Sequence, residues 1–132
     1  MRPLLFASLL IAFPALAQTP MTGAEFDAYT VGKTLTYGTS GEPYGIEEYL
    51  PNRRVVWAFV GDECRFGTWY EAEGQICFVY SYEPLDPKCW VFFLGPEGLT
   101  GQSSTDDGFF SSLVEIEQSP APLPCAGPEV GV

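Results

Sequence analysis

From Gly32 onward a turn signal interrupts the chain about every ten residues, and this spacing constrains the fold more than any other feature. The signals are Gly38-Thr39-Ser40-Gly41, Pro51-Asn52, Gly61-Asp62, Glu73-Gly74, Pro84 to Pro87, Gly95-Pro96 and Thr105 to Gly108. Between them lie short runs rich in Val, Ile, Thr and aromatic residues, the composition of strands. The candidate strands are Thr34 to Tyr37, Tyr44 to Leu50, Arg54 to Val60, Cys64 to Tyr70, Gln75 to Tyr82, Lys88 to Leu94, Leu99 to Ser103, and Phe109 to Glu117. Short strands with short connections predict an antiparallel meander of seven or eight strands. Such a meander curls into a small barrel or a strongly curved sheet, which protects its edges. The expected fold class is mainly β.

One short helix precedes the meander. Thr22 can cap it, and Glu25 three residues later completes a capping box. Met21 and Phe26 stand at the two positions of a hydrophobic staple, and Gly32 supplies the C-terminal stop. The helix is expected over Gly23 to Val31, docking through Phe26 and Tyr29.

The strands differ in their faces. In the second, Tyr44, Ile46, Glu48 and Leu50 alternate with Gly45, Glu47 and Tyr49. In the fifth, Ile76, Phe78, Tyr80 and Tyr82 share one face, and Cys77, Val79 and Ser81 the other. The sixth is apolar on both: Trp90, Phe92 and Leu94 against Val91 and Phe93. A doubly apolar strand is covered twice or lends one face to a ligand. Cover by the N-terminal helix ranks ahead of a ligand.

The N-terminus reads as an export signal. Arg2 is a positive n-region, Leu4 to Phe13 an apolar run, and Ala15-Leu16-Ala17 a small-residue cleavage site before Gln18. A bilayer span needs about 20 apolar residues, so this run is too short to serve as one. No second run reaches that length, and no cysteine follows the site to carry a lipid anchor. The expected domains are a signal peptide at 1–17, a β-rich domain with its helix at 18–118, and a Pro-rich tail at 119–132. The mature chain is expected in the periplasm or secreted.

Charge and composition narrow the functions further. Loss of Arg2 with the signal leaves five basic against 17 acidic residues, a net charge of −12. Nucleic acids and anionic membranes call for a basic patch, so neither is an expected partner. The chain has no histidine. That removes the commonest general base and metal ligand, and with them Ser-His-Asp and Cys-His catalysis. No metal or cofactor is expected.

All four cysteines, Cys64, Cys77, Cys89 and Cys125, lie in the mature part. Export places them in an oxidising compartment, and none of the spacings is a CxxC pair, so two structural disulfides are expected. Four cysteines allow three pairings. A three-residue loop around Glu73-Gly74 pairs Glu71 with Gln75 and sets Cys77 opposite Trp69. The next hairpin sets Cys89 near Tyr82 or Ser81, too far from Cys77 to bond, and Cys64 and Cys89 fall at the same sheet end. Cys64–Cys89 with Cys77–Cys125 is therefore set slightly ahead of the alternatives. In any pairing Cys125 anchors the tail.

The polar residues offer little chemistry by themselves. Glu47 and Glu48 are adjacent, so on a strand they point to opposite faces. Asp62-Glu63 and Asp106-Asp107-Gly108 read as solvated turns, the latter ahead of a weak calcium site. Arg53-Arg54 is expected to balance neighbours such as Glu47 or Glu48 across the second hairpin, ahead of an anion site. The aromatic content is richer: three Trp, seven Tyr and ten Phe. Tyr44, Tyr49, Trp57, Trp69 and Trp90 are the candidate residues of an aromatic binding surface, set against the plainer reading of aromatics as core.

Gly67-Thr68-Trp69 resembles the Gly-x-Trp of lipocalins, which there lies on the first barrel strand and here falls mid-chain. The longer run Tyr44-Gly45-Ile46-Glu47-Glu48-Tyr49-Leu50-Pro51, with Arg54-Val55-Val56-Trp57, Cys64-Arg65-Phe66-Gly67-Thr68-Trp69, Ile76-Cys77-Phe78-Val79-Tyr80 and Cys89-Trp90, resembles small exported bacterial proteins of unknown function. The likeness covers about Tyr44 to Phe93. It implies a disulfide-bearing β meander of the cell envelope and carries no activity.

Three functions fit these features. The first is a non-catalytic domain that binds through an aromatic face or barrel mouth, with an apolar small molecule or a cationic protein as partner. The second is an acidic inhibitor of a cationic enzyme such as a lysozyme-class hydrolase. The third is a glycan-active enzyme working with carboxylates alone.

Overall fold

The structure, a computed structural model, describes residues 18–104 and 110–125. Helix α1 (Gly23–Thr30) leads into β1 (Thr34–Thr39), β2 (Glu42–Leu50), β3 (Arg54–Phe59), β4 (Arg65–Ala72), β5 (Gln75–Tyr80), β6 (Lys88–Gly95), β7 (Gly98–Ser104) and β8 (Phe110–Ser119). Each strand pairs antiparallel with the next, and β8 pairs with β1, closing the barrel. The expected meander is thus fully closed, and closure removes exposed strand edges. The candidate signal peptide and the Thr105 to Gly108 turn, with Asp106-Asp107, lie outside the described residues.

Local chemistry explains the turns. Ser40 and Gly41 join β1 to β2 at φ 51° and 82°, and Glu73 and Gly74 join β4 to β5 at φ 51° and 75°. Positive φ at both central residues matches the twist of the flanking strands. The second turn has two residues, not the expected three. Ala72 therefore pairs with Gln75, and Cys77 faces Tyr70 instead of Trp69.

The disulfide pairing differs from expectation. Cys77 bonds Cys89, and Cys64 bonds Cys125. The cause is the connection between β5 and β6. The β5–β6 ladder stops at Phe78, β5 itself ends at Tyr80, and Ser81 to Pro87 form a wide loop holding Pro84 and Pro87, which have no N–H to donate. Lys88 then stands opposite Phe78, and Cys89 directly opposite Cys77. Directly opposed side chains on neighbouring strands are within disulfide reach.

The tail is anchored through Cys125, but to Cys64 ahead of β4. It runs over the outside of the barrel. Leu123 is buried there against Val56 and Ala58, with Ile46 and Leu50 around it. The Leu123 N–H donates to Glu48 at 3.0 Å, and the Thr34 hydroxyl donates to the Ala121 carbonyl at 2.6 Å. The apolar face of β2 is therefore its outer face. Gly45, Glu47 and Tyr49 turn inward.

Helix α1 closes one end of the barrel. Thr22 caps it, accepting from the Glu25 N–H at 3.1 Å. Met21 and Phe26 are both buried in the main core, as a hydrophobic staple requires. The Phe26 ring packs on Tyr49, Trp69, Phe78 and Phe92, which come from four different strands. Only an element seated in the barrel end can reach all four. The helix is thus a plug and not a cover for the outer face of β6, where Val91 and Phe93 remain half-buried.

Arg53 and Arg54 do not balance Glu47 or Glu48. The Arg53 guanidinium lies 4.5 Å from the centre of the Trp69 ring, and Arg54 donates to the Pro51 carbonyl. Asn52 and Arg53 adopt positive φ in the loop, which turns Arg53 toward the plugged end.

Candidate functional site

Above the plug the interior is not filled. A cavity of about 590 Å³ opens at the far end of the barrel. An eight-stranded barrel is the size that can hold one small ligand in this way. The middle of its wall is built by Tyr37, Glu47, Tyr49, Trp57, Phe78, Tyr80, Phe92 and Leu113, and its rim includes Tyr44, Phe59, Tyr82 and Trp90.

Glycines make room for the rings. Gly67 pairs directly with Tyr80, and Gly101 with Phe92. A Cβ on Gly101 would approach the Phe92 ring to 2.9 Å, and one on Gly45 would lie 2.3 Å from the Trp57 ring. Each ring leans across a missing side chain, so large aromatics fit the wall without closing the cavity.

Four of the five expected aromatic positions share this cavity. Tyr49 and Trp57 are buried in the wall, and Trp90 is half-buried there. Tyr44, 42% exposed, closes over the rim with its ring 6.0 Å from Trp57 and 5.3 Å from Phe59. Trp69 stands apart at the plugged end, 5.2 Å from Phe26. These residues therefore form no single outer surface.

The polar group sequence reasoning passed over is Glu47. It is 3% exposed, and the Tyr80 hydroxyl donates to both its oxygens at 3.1 Å. Burial pushes its carboxyl up to about 8, against the ordinary 4.5, with Tyr80 acting weakly the other way. With no counter-ion among the described residues, the group is mostly protonated at neutral pH. Tyr37 and Tyr49 share a hydrogen bond of 2.7 Å nearby. Burial holds the Tyr37, Tyr49 and Tyr80 hydroxyls well above their ordinary range, so all three stay neutral. The signal for Glu47 was its alternation with Tyr49 and Gly45. Both faces of β2 carry apolar residues, Ile46 and Leu50 on one and Tyr49 on the other, so alternation alone does not say which is enclosed.

A second buried carboxyl, Glu115, sits near the plug and is saturated. It accepts from the Leu99 N–H at 2.8 Å, from Gln118 at 2.8 Å and from the Tyr29 hydroxyl at 2.9 Å. These bonds tie α1 to β7 and β8. Glu115 is a structural clamp, whereas Glu47 lines open space.

At the mouth, Lys88 pairs with Asp86 at 2.5 Å and Glu83 at 3.6 Å. Arg65 pairs with Asp62 at 3.3 Å, its guanidinium over the rings of Phe59 and Tyr82.

No protein-family model, curated protein or solved structure matches this chain. What stands of the resemblances is the architecture: an eight-stranded antiparallel barrel with two disulfides. Gly67-Thr68-Trp69 lies on β4, not on the first strand.

Proposed function

We propose that this protein is a non-catalytic binding protein of an oxidising compartment that holds one small molecule inside its barrel. The observation that carries this reading is the open cavity of about 590 Å³, walled by aromatic rings with a few convergent polar groups. Ligand sites are typically about 300–1,000 Å³ and of this mixed character. The two disulfides and the signal-like N-terminus support the compartment.

The other two readings draw on less. Inhibition of a cationic enzyme rests on the net charge of −11. Carboxylate catalysis needs two acidic groups facing one reacting bond. Glu47 shares the cavity wall with Asp86, and Asp86 is engaged by Lys88.

The test is titration with N-phenyl-1-naphthylamine, an uncharged fluorophore at neutral pH. Saturable one-site enhancement is expected. Ser111, on the cavity wall, gives the control: Ser111→Trp should fill the space and weaken uptake about tenfold or more. No uptake by the parent protein, or uptake indifferent to Ser111→Trp, rules the reading out.

A further inference from the structure

We infer that the cavity selects organic cations: the ligand carries an ammonium group that sits against the Glu47 carboxylate, with its apolar body among the aromatic rings. This rests on the reading of the barrel as a small-molecule binder and adds the chemical class of the ligand.

The first support is the position of Glu47. A carboxyl in an aromatic wall costs folding free energy that an apolar side chain there would not. A carboxylate can accept about four hydrogen bonds, and Tyr80 supplies one hydroxyl. Glu115 shows how this fold satisfies a carboxyl of purely structural role, with three separate donors. Glu47 has no such set among the described residues.

The second support is the charge inventory. The groups around Glu47 are neutral hydroxyls: Tyr37 from β1, Tyr49 from β2 and Tyr80 from β5. The basic side chains nearest the mouth are committed elsewhere, Lys88 to Asp86 and Glu83, and Arg65 to Asp62. Asp86 and Lys88 both line the mouth and offset each other, which leaves Glu47 as the acidic group of the inner wall. The chain's net charge of −11 draws cations toward it and repels anions.

The third support is the rings. Trp57, Phe78 and Trp90 line the same space as the carboxylate. Aromatic faces attract ammonium groups when water is excluded, so wall and counter-ion favour the same ligand.

Binding then displaces a proton. The free protein holds Glu47 largely protonated at pH 7, and an ammonium ligand needs the carboxylate. One proton leaves to solvent as the ligand binds. Affinity rises with pH up to about 8, where Glu47 ionises in the free protein, and levels off above it. A neutral ligand that accepts a hydrogen bond from the protonated carboxyl shows the reverse trend.

The experiment is calorimetric titration with tryptamine and with tryptophol, which carries a hydroxyl in place of the ammonium group. Near pH 8.5 tryptamine should bind about tenfold or more tightly than tryptophol, and it should weaken about tenfold or more near pH 6. Glu47→Gln should erase the preference between the two indoles. The pH trend in the parent protein serves as the test if that variant does not fold. Equal binding of the two indoles near pH 8.5, a preference that survives Glu47→Gln, or a flat pH trend overturns the inference. If N-phenyl-1-naphthylamine still enters in those cases, the cavity reading stands and only the ligand class is wrong. If no probe enters, both fail.

Discussion

The Tyr80 hydroxyl reaches both oxygens of the Glu47 carboxyl, at 3.1 Å each, across the inside of the barrel. The two residues come from β2 and β5, which are not neighbours in the sheet. Their bond spans the interior and sets the polar point of an otherwise aromatic wall.

Glu47 makes stability depend on pH in an unusual direction. The folded protein keeps its proton up to about pH 8, while the unfolded chain releases it near 4.5. Between these values the folded state binds more protons, so the contribution is full at the acid end and lost as pH rises through about 8. The size is on the order of a few kcal/mol. Glu47→Gln should match the parent in melting temperature near pH 5 and exceed it by several degrees near pH 9. Parallel pH responses in the two proteins would contradict a buried, unpaired carboxyl.

Gly67→Ala should destabilise by crowding the neighbouring strand. The added Cβ would lie 2.4 Å from the Val79 carbonyl oxygen and 2.9 Å from the Tyr80 ring. A ladder carbonyl cannot step aside, so the cost should be about 1–3 kcal/mol, read by urea denaturation. Gly45→Ala differs, because its close contact is the tip of the Trp57 ring at 2.3 Å. The indole can swing into the cavity, so this variant should lose probe affinity more than stability. Equal effects on both properties in the two variants would count against the packing described.

The disulfide map is open to direct assay. Unfolded, non-reduced parent protein should show no free thiol, and Cys125→Ser should expose one, on Cys64. Loss of that bond should release the tail from about Ser119 and cost about 2–5 kcal/mol. A free thiol on Cys77 or Cys89 in peptide mapping would exclude this connectivity.

Phe26→Ala should be among the most damaging core changes. The ring is fully buried and packs on four aromatic rings from separate strands. A cost of about 3–5 kcal/mol is expected. Trp69, 5.2 Å away, should report the opened plug as a red-shifted emission. Emission and stability like the parent's would mean the helix is not the plug.

Much of the architecture was written locally. The capping box at Thr22 and Glu25 starts the helix, and pairs such as Ser40-Gly41 and Glu73-Gly74 turn the chain at positive φ. These signals depend on residues within a few positions of one another, so they can be read one segment at a time. A meander of seven or eight antiparallel strands follows from them, and four cysteines behind an export signal call for two disulfides.

The inward face, the cysteine partners and the site depend on residues far apart in the chain. Ile46 and Leu50 look like core until Leu123 of the tail is seen covering the outside of β2. Cys77 meets Cys89 because the Ser81 to Pro87 loop is wide enough to set their register. Glu47 faces an enclosed space only because closure brings Tyr80 and the rings of other strands around it. Alternation along a strand says which side chains share a face. Which face is enclosed is set by what the rest of the chain packs against it, and that free energy belongs to the closed barrel as a whole.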